Sequence, residues 1–378
     1  MTRFFTLPLA IAGLFSLGMT SCNGSGSTST TADSARMEST KADTTAKSTS
    51  VKPTGPKPAW GPSIHPEMQA VIEKLASYQD APIPTLTAVQ ARQNHTPTDA
   101  VMALVAENNI PMPASKVDTA GKEIPVDGGM IHLRLYKPKG ATSPLPLIVY
   151  YHGGGWVIAD INTYSASAQG LAEQTNAIVV AVEYRKSPEH KFPVAINDAF
   201  AAYQWVLKNA ESIKGDGKKV ALVGESAGGN LAANVSMMAR DKGIQQPVYQ
   251  VLVYPVASTD LNSDSYKKAD STKPLNKAMM EWFFKNYAPA DKWSDPRINL
   301  VKANLKGLPA TTIITAELDP LHDDGQLLSD ALKKADVKVN YKNYDGVTHE
   351  FFGMAIIVPE AKDAQALASS DLKNAFSK

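Results

Sequence analysis

Apolar and polar positions change rhythm several times along the chain. Residues 4–19 are almost wholly apolar, too short a run for a membrane span of about 20 residues but right for the core of a signal peptide. Residues 23–58 then carry fourteen Ser or Thr between Ser25 and Ser50, no aromatic side chain, and the Pro-punctuated exit VKPTGPKP. A segment so poor in large apolar groups cannot offset its ordering entropy, so residues 1–21 read as a signal peptide and 22–58 as a disordered tether. From residue 59 the pattern becomes that of a folded body. Met68, Val71, Ile72 and Leu75 recur with helical spacing between His65 and Tyr78, and a second helical pattern runs from Thr85 to Glu107. Two helices therefore precede any strand.

The next period is two. GMIHLRLYKP (residues 129–138) alternates, whereas LPLIVYY (145–151), AIVVAVEY (177–184), KVALVGE (219–225), YQVLVYPV (249–256) and ATTIITAE (310–317) are continuous apolar runs. Such runs predict strands covered on both faces, and the intervals between them are long enough for crossover helices. The fold class is α/β: a mostly parallel central sheet flanked by helices, with antiparallel pairing at its start. The interval 260–308 differs in character, with Trp282, Phe283, Phe284, Tyr287 and Trp293 clustered in it. Together with residues 60–112 it reads as a helical cap over a site, the alternative being a surface subdomain with its own small core. No internal repeat is visible.

Composition narrows the function. The chain has 378 residues with 38 basic and 37 acidic side chains. Near-neutrality offers no field for nucleic acid or for cationic partners. Its single cysteine excludes an internal disulfide and a thiolate-rich metal site. That cysteine is Cys22, at the exit of the apolar run, and MTSC (residues 19–22) resembles a bacterial lipobox with Met19 in place of the usual Leu. The resemblance implies lipidation of Cys22 and an exported protein held on a bacterial membrane, facing the periplasm or at the cell surface. The alternative is an ordinary signal peptide cut near Ser21. Arg3 is the only charge removed with the signal segment, so no net charge would hold the remainder at a membrane and the lipid would be its only attachment.

Two glycine-rich motifs carry chemistry. GESAGG (residues 224–229) follows the strand pattern KVALV and opens a helical one. Ser226 thus sits at the centre of G-x-S-x-G on a strand-to-helix turn, where a nucleophilic serine is held in a strained backbone. HGGGW (residues 152–156) ends the run LPLIVYY. Three successive glycines there let amide groups point into a cavity rather than complete a ladder, which suits them to an oxyanion. His152 reads as a brace for that loop.

With YRKSPEHKFPVAINDA (residues 184–199), these motifs resemble, in order, those of the hormone-sensitive-lipase-like α/β-hydrolase carboxylesterases over about residues 60–378. The resemblance implies a Ser, acid, His order. LDPLHDDG (residues 318–325) then makes Asp319 the acid, with Asp323 and Asp324 as rivals placed where carboxylates cap a helix. GVTHEFFG (residues 346–353) makes His349 the base, with Glu350 where the family usually has Gly. It also favours Gly154 and Gly155 of the Gly153–Gly155 loop, with Ala227, as oxyanion donors. Arg185, Glu189 and Asp198 receive no chemistry.

The expectation is a serine carboxylesterase acting on small-molecule esters of short to medium acyl chain, with no metal and no organic cofactor. Other serine acyl hydrolases (a carbohydrate-ester deacetylase, a thioesterase, a peptidase) share this chemistry, and a catalytically silent binding module shares the fold.

Overall fold

The structure, a computed structural model, describes residues 51–378. The expected signal segment, Cys22 and the tether up to residue 50 lie outside the described residues. Eight strands form one sheet: β1 (Val117–Val126), β2 (Gly129–Pro138), β3 (Leu145–Tyr151), β4 (Ile178–Glu183), β5 (Gly215–Glu225), β6 (Gln250–Val253), β7 (Thr311–Leu318) and β8 (Val339–Thr348). Their spatial order is β1-β2-β4-β3-β5-β6-β7-β8. The β1–β2 and β2–β4 pairs are antiparallel, and every pair from β4 to β8 is parallel.

The continuous apolar runs have a direct cause. Successive side chains of a strand point to opposite faces, and both faces of this sheet are covered. Leu147, Val149 and Tyr151 of β3 join one core with helices α5 (Val194–Asn209), α6 (Ala227–Asp241) and α9 (His322–Lys334). Ile148 and Tyr150 join the other, with α1 (Pro66–Ser77), α3 (Pro97–Glu107), α4 (Ser165–Thr175) and α10 (Pro359–Phe376). Strand β1 carries no such pattern because it lies at the sheet edge, where only Val117 and Ile124 of its ten residues are buried.

The helical pattern over 85–107 does not make one helix. It is divided into a 3₁₀ turn (Ile83–Thr85), the short α2 (Ala88–Ala91) and α3. Thr87 and Thr96 each form a capping box, with Gln90 and Asp99 respectively, and Pro97 follows the second cap. Each box satisfies otherwise orphaned amides and so restarts the chain as a new helix. The 260–308 interval contains α7 (Asp264–Lys268) and α8 (Lys277–Tyr287). Its aromatics have no separate core: Phe283, Phe284 and Tyr287 are buried in the same cluster as the sheet, and Tyr287 stacks on Trp156 at 4.0 Å between ring centroids.

Residues 51–58, read from composition as the end of a disordered tether, pack on the body. Val51 is buried in the core that holds α1, and the Glu73 carboxylate of α1 accepts hydrogen bonds from the Thr54 amide and hydroxyl and the Gly55 amide at 2.6, 2.8 and 3.1 Å. One well-placed apolar side chain and one acceptor order a stretch whose average composition does not. A chain beginning at residue 59 is therefore expected to be about 2–4 kcal/mol less stable than one beginning at residue 51, the sum of a buried valine and its accompanying hydrogen bonds. Thermal melts of the two should differ by several degrees; coincident curves would show that residues 51–58 contribute nothing.

Candidate active site

Three parallel strands deliver their carboxyl ends to one place. At the end of β5, Ser226 adopts φ 56° and ψ −119° before α6 begins, a left-handed backbone that costs a non-glycine residue of order 1–3 kcal/mol. The turn is pinned by the Ser226 amide donating to the Val253 carbonyl at 2.8 Å. It also requires bare neighbours: a Cβ on Gly224 would lie 2.0 Å from the Gly228 carbonyl oxygen, and one on Gly228 would lie 2.0 Å from that of Tyr151. Alanine at either position would break the turn.

Asp319 follows β7 and His349 follows β8, and the β7–β8 register sets Leu318 opposite Thr348. The two side chains therefore meet: His349 Nδ1 lies 2.7 Å from Asp319 Oδ2, while Nε2 lies 3.0 Å from Ser226 Oγ. Asp319 Oδ1 accepts the Leu321 amide at 2.8 Å, which fixes the carboxylate plane. All three side chains are buried. Burial alone would weaken the hold of His349 on a proton. The Asp319 charge and hydrogen bond outweigh it, Glu350 and Glu225 add in the same direction, and the imidazole pKa is raised. With the proton on Nδ1, Nε2 is free to take one from the serine hydroxyl.

The rival acids have other work. Asp324 Oδ2 accepts the Ala257 and Ser258 amides at 2.9 and 2.8 Å, and Asp323 Oδ2 accepts the Ser265 amide at 2.9 Å. Both stand in the first turn of α9 and tie it to the chain after β6. Burial pushes the Asp324 carboxyl up to about 8 in spite of its two amide donors.

The glycine loop faces the same space. Gly154 and Gly155 have φ of 93° and 57°. The Gly154 carbonyl accepts the Val157 and Ile158 amides at 3.0 and 2.9 Å. Among the described residues the amides of Gly154, Gly155 and Ala227 donate to nothing in the chain. These are donors without acceptors, two beside the nucleophile's turn and one at the head of α6, the arrangement an oxyanion requires. No side chain fits there: a Cβ on Gly154 would lie 2.2 Å from the Ile158 carbonyl oxygen, and one on Gly155 would lie 2.3 Å from the Phe283 ring. His152 is a brace. Its Nδ1 donates to the Gly153 carbonyl at 2.8 Å, its ring stacks on Tyr184 at 4.3 Å, and burial lowers its pKa. The Tyr184 hydroxyl also holds the His152 and Gly153 carbonyls.

Gly154, Gly155, Ser226 and His349 line a cavity of about 740 Å³. Its other walls come from α1, the segment 79–97 and residues 273–283, with Leu75, Ile83, Leu275, Met279 and Phe283 supplying apolar surface.

Several contributors were not legible in the sequence. Arg92 bonds the Glu189 carboxylate through both terminal nitrogens, at 2.8 and 2.7 Å, and the carbonyls of Val157 and Ser187 at 2.8 Å each. It fastens the α2 segment to the glycine loop, and this gives Glu189 its role; Arg185 and Asp198 form a separate bidentate pair. Glu225 and Tyr164 lie beneath the triad, and nothing about their spacing announces it.

A family model described as alpha/beta hydrolase fold matches residues 148–353. The chain is 37% identical over 251 residues to carboxylesterase NlhH of Mycobacterium tuberculosis, covering 65% of this chain and 79% of that one. It is 31% identical over 322 residues to an ethyl acetate hydrolase of Pseudomonas putida, covering 82% and 99%. Among solved structures, the hyperthermophilic esterase from Pyrobaculum calidifontis superposes with a TM-score of 0.71 at 35% identity, over 77% of this chain and 94% of that one. With an eight-stranded sheet, a strained serine and a glycine loop in one cavity, the chain belongs to the hormone-sensitive-lipase-like carboxylesterases of the alpha/beta hydrolase fold and is a carboxylic ester hydrolase.

Proposed function

We propose that the protein hydrolyses short- to medium-chain acyl esters through Ser226, His349 and Asp319, as a lipoprotein anchored at Cys22. The observation that carries the catalytic part is the single imidazole bridging Ser226 Oγ and Asp319 at 3.0 and 2.7 Å inside a capped cavity. Ser226 Oγ attacks the ester carbonyl carbon as its proton passes to His349 Nε2, and Asp319 stabilises the imidazolium that results. The carbonyl oxygen becomes an anion beside the amides of Gly154, Gly155 and Ala227, with Gly153 completing the loop. The tetrahedral intermediate collapses, the C–O bond to the alcohol breaks, and His349 returns its proton to the leaving oxygen. Water repeats the sequence on the acyl-enzyme with His349 as base, releasing the acid and restoring Ser226.

The substrate range follows from the cap. Residues 72–97 and 273–283 bound the cavity, whose volume is in the range usual for small-molecule sites. The name ethyl acetate hydrolase, carried by a relative that this chain matches over nearly its full length, supports a short acyl group. The anchoring part is supported by the sequence alone, from the position of Cys22 at the exit of the apolar run.

An acyl series of p-nitrophenyl esters should give kcat/KM highest at acetate to butyrate and falling for long chains. Ser226→Ala should abolish turnover and labelling by an organophosphonate probe; an inert, unlabelled wild-type protein would refute the catalytic reading. Gly154→Ala places a methyl group against the Ile158 carbonyl and should cost about a hundredfold or more in kcat, the scale of a lost oxyanion donor. Activity near that of the wild type would remove the glycine loop from the mechanism. For the anchor, Cys22→Ser should move the protein from the membrane to the soluble fraction, and unchanged partitioning would count against lipidation.

A further inference from the structure

Glu350 is the residue in the site that the backbone does not want. It has φ 66° and ψ 8°, a left-handed conformation natural to glycine and strained for a long side chain. Here the strained position is filled by a carboxylate, and the structure shows what holds it. Tyr164 donates its hydroxyl to Glu350 Oε1 at 2.8 Å. That hydroxyl is at the same time packed on the glycine loop, since a Cβ on Gly153 would lie 2.3 Å from it. One hydrogen bond therefore links the residue after the catalytic histidine to the loop that presents the oxyanion donors.

The linkage continues under the nucleophile. Glu225, adjacent to Ser226 and without exposure to solvent, accepts the Tyr150 hydroxyl at 2.5 Å and the Tyr254 hydroxyl. The Tyr254 ring lies 4.5 Å from that of His349. Glu350, Glu225 and Tyr164 also line a second cavity of about 330 Å³ behind the site. The groups that face or adjoin the imidazole are thus Asp319 after β7, Glu225 at the end of β5, Tyr254 after β6 and Glu350 on its own loop. The nearby cations of the main cavity are already engaged: Lys186 with Glu183 and the Ala159 carbonyl, Arg92 with Glu189. Lys273 also lines that cavity.

We propose that Glu350 is a positioning residue for His349: through Tyr164 it ties the histidine loop to the oxyanion loop, and its carboxylate sets a second negative charge beside the imidazole. This rests on the reading of His349 as the general base. It assigns the two ends of Glu350 separable effects, one geometric and one electrostatic. The acylating base must be neutral, so activity is lost as pH falls through the histidine pKa. Charges that raise that pKa place the acid limb higher, and removing one moves the limb down. The direction agrees with the contribution of Glu350 to the raised His349 pKa.

The test uses steady-state kinetics on p-nitrophenyl acetate across pH, on chains whose thermal melts show them folded. Glu350→Gln retains an acceptor for Tyr164 and deletes the charge; the acid limb of kcat/KM should move to lower pH by about half a unit or more. Tyr164→Phe retains the charge and deletes the link; kcat should fall about three- to tenfold with KM changed less than twofold, and the limb should shift less than in Glu350→Gln. Should glutamine at 350 prevent folding, Glu350→Gly suits the left-handed backbone and should show both changes together. An acid limb in Glu350→Gln that coincides with that of the wild type would overturn the electrostatic part, and an unchanged kcat in Tyr164→Phe would overturn the link. Neither result resembles the failure of the general-base reading, in which the wild-type protein would show no Ser226-dependent turnover at all.

Discussion

The hydrogen bond from His349 Nδ1 to Asp319, at 2.7 Å, is the interaction to which the rest of the site is subordinate. An imidazole can serve the serine only if its other nitrogen is committed, and the partner must be a buried anion to compensate for the burial of the ring. A parallel sheet supplies both. All strands from β3 to β8 run the same way, so β5, β7 and β8 end on one edge, and the β7–β8 register sets Leu318 against Thr348, the residues just before the acid and the base. The meeting of Asp319 and His349 is therefore a consequence of strand register, and a slip of β8 by one residue would turn His349 to the opposite face.

What lies on that edge is shaped as much by missing atoms as by present ones. Gly224 and Gly228 let the serine turn close on the end of β3, while Gly154 and Gly155 let backbone face the cavity where any Cβ would strike Ile158 or Phe283. The cap depends on the same surface. Phe283 packs on Gly155, and Tyr287 stacks on Trp156 of the glycine motif. The aromatics of residues 282–293 thus bind the cap to the oxyanion loop, and cavity shape and oxyanion geometry cannot vary independently.

This explains which parts of the molecule were legible in the sequence. Buried strands announce themselves because both faces demand apolar side chains, and the two glycine motifs do so because no other residue fits. Asp319 and His349 were found through chain order and resemblance, and geometry distinguishes Asp319 from Asp323 and Asp324, whose oxygens are taken up by amides. The illegible parts depend on single long-range contacts. Strand β1 has two buried residues in ten, too few for a pattern. The order of residues 51–58 rests on Val51 and on Glu73. Composition averages such contacts away. The breaks at Thr87 and Thr96 were written in capping boxes, but the apolar period through them suggested continuity. The Tyr164–Glu350 bond joins residues 186 positions apart, beyond the reach of any local rule.

The carboxylates around the site form a graded series, and the grading bears on how the base works. Asp324 accepts two backbone amides and, under the pressure of burial, rises to about 8. Glu225 accepts two tyrosine hydroxyls, and burial raises it as well. Glu350 accepts one hydroxyl and is raised in the same way. Asp319 is the one set directly against the imidazole, with a backbone amide on its second oxygen. Burial favours the uncharged form of each of the others, and an imidazolium at His349 favours the charged form of Glu350. In the proposed mechanism the group of this cluster that becomes positive is His349, in the transition state for attack. A buried Asp319 carboxylate hydrogen-bonded to that ring is in this mechanism better matched to the transition state than to the ground state, the condition under which electrostatics accelerates a reaction instead of merely tightening binding.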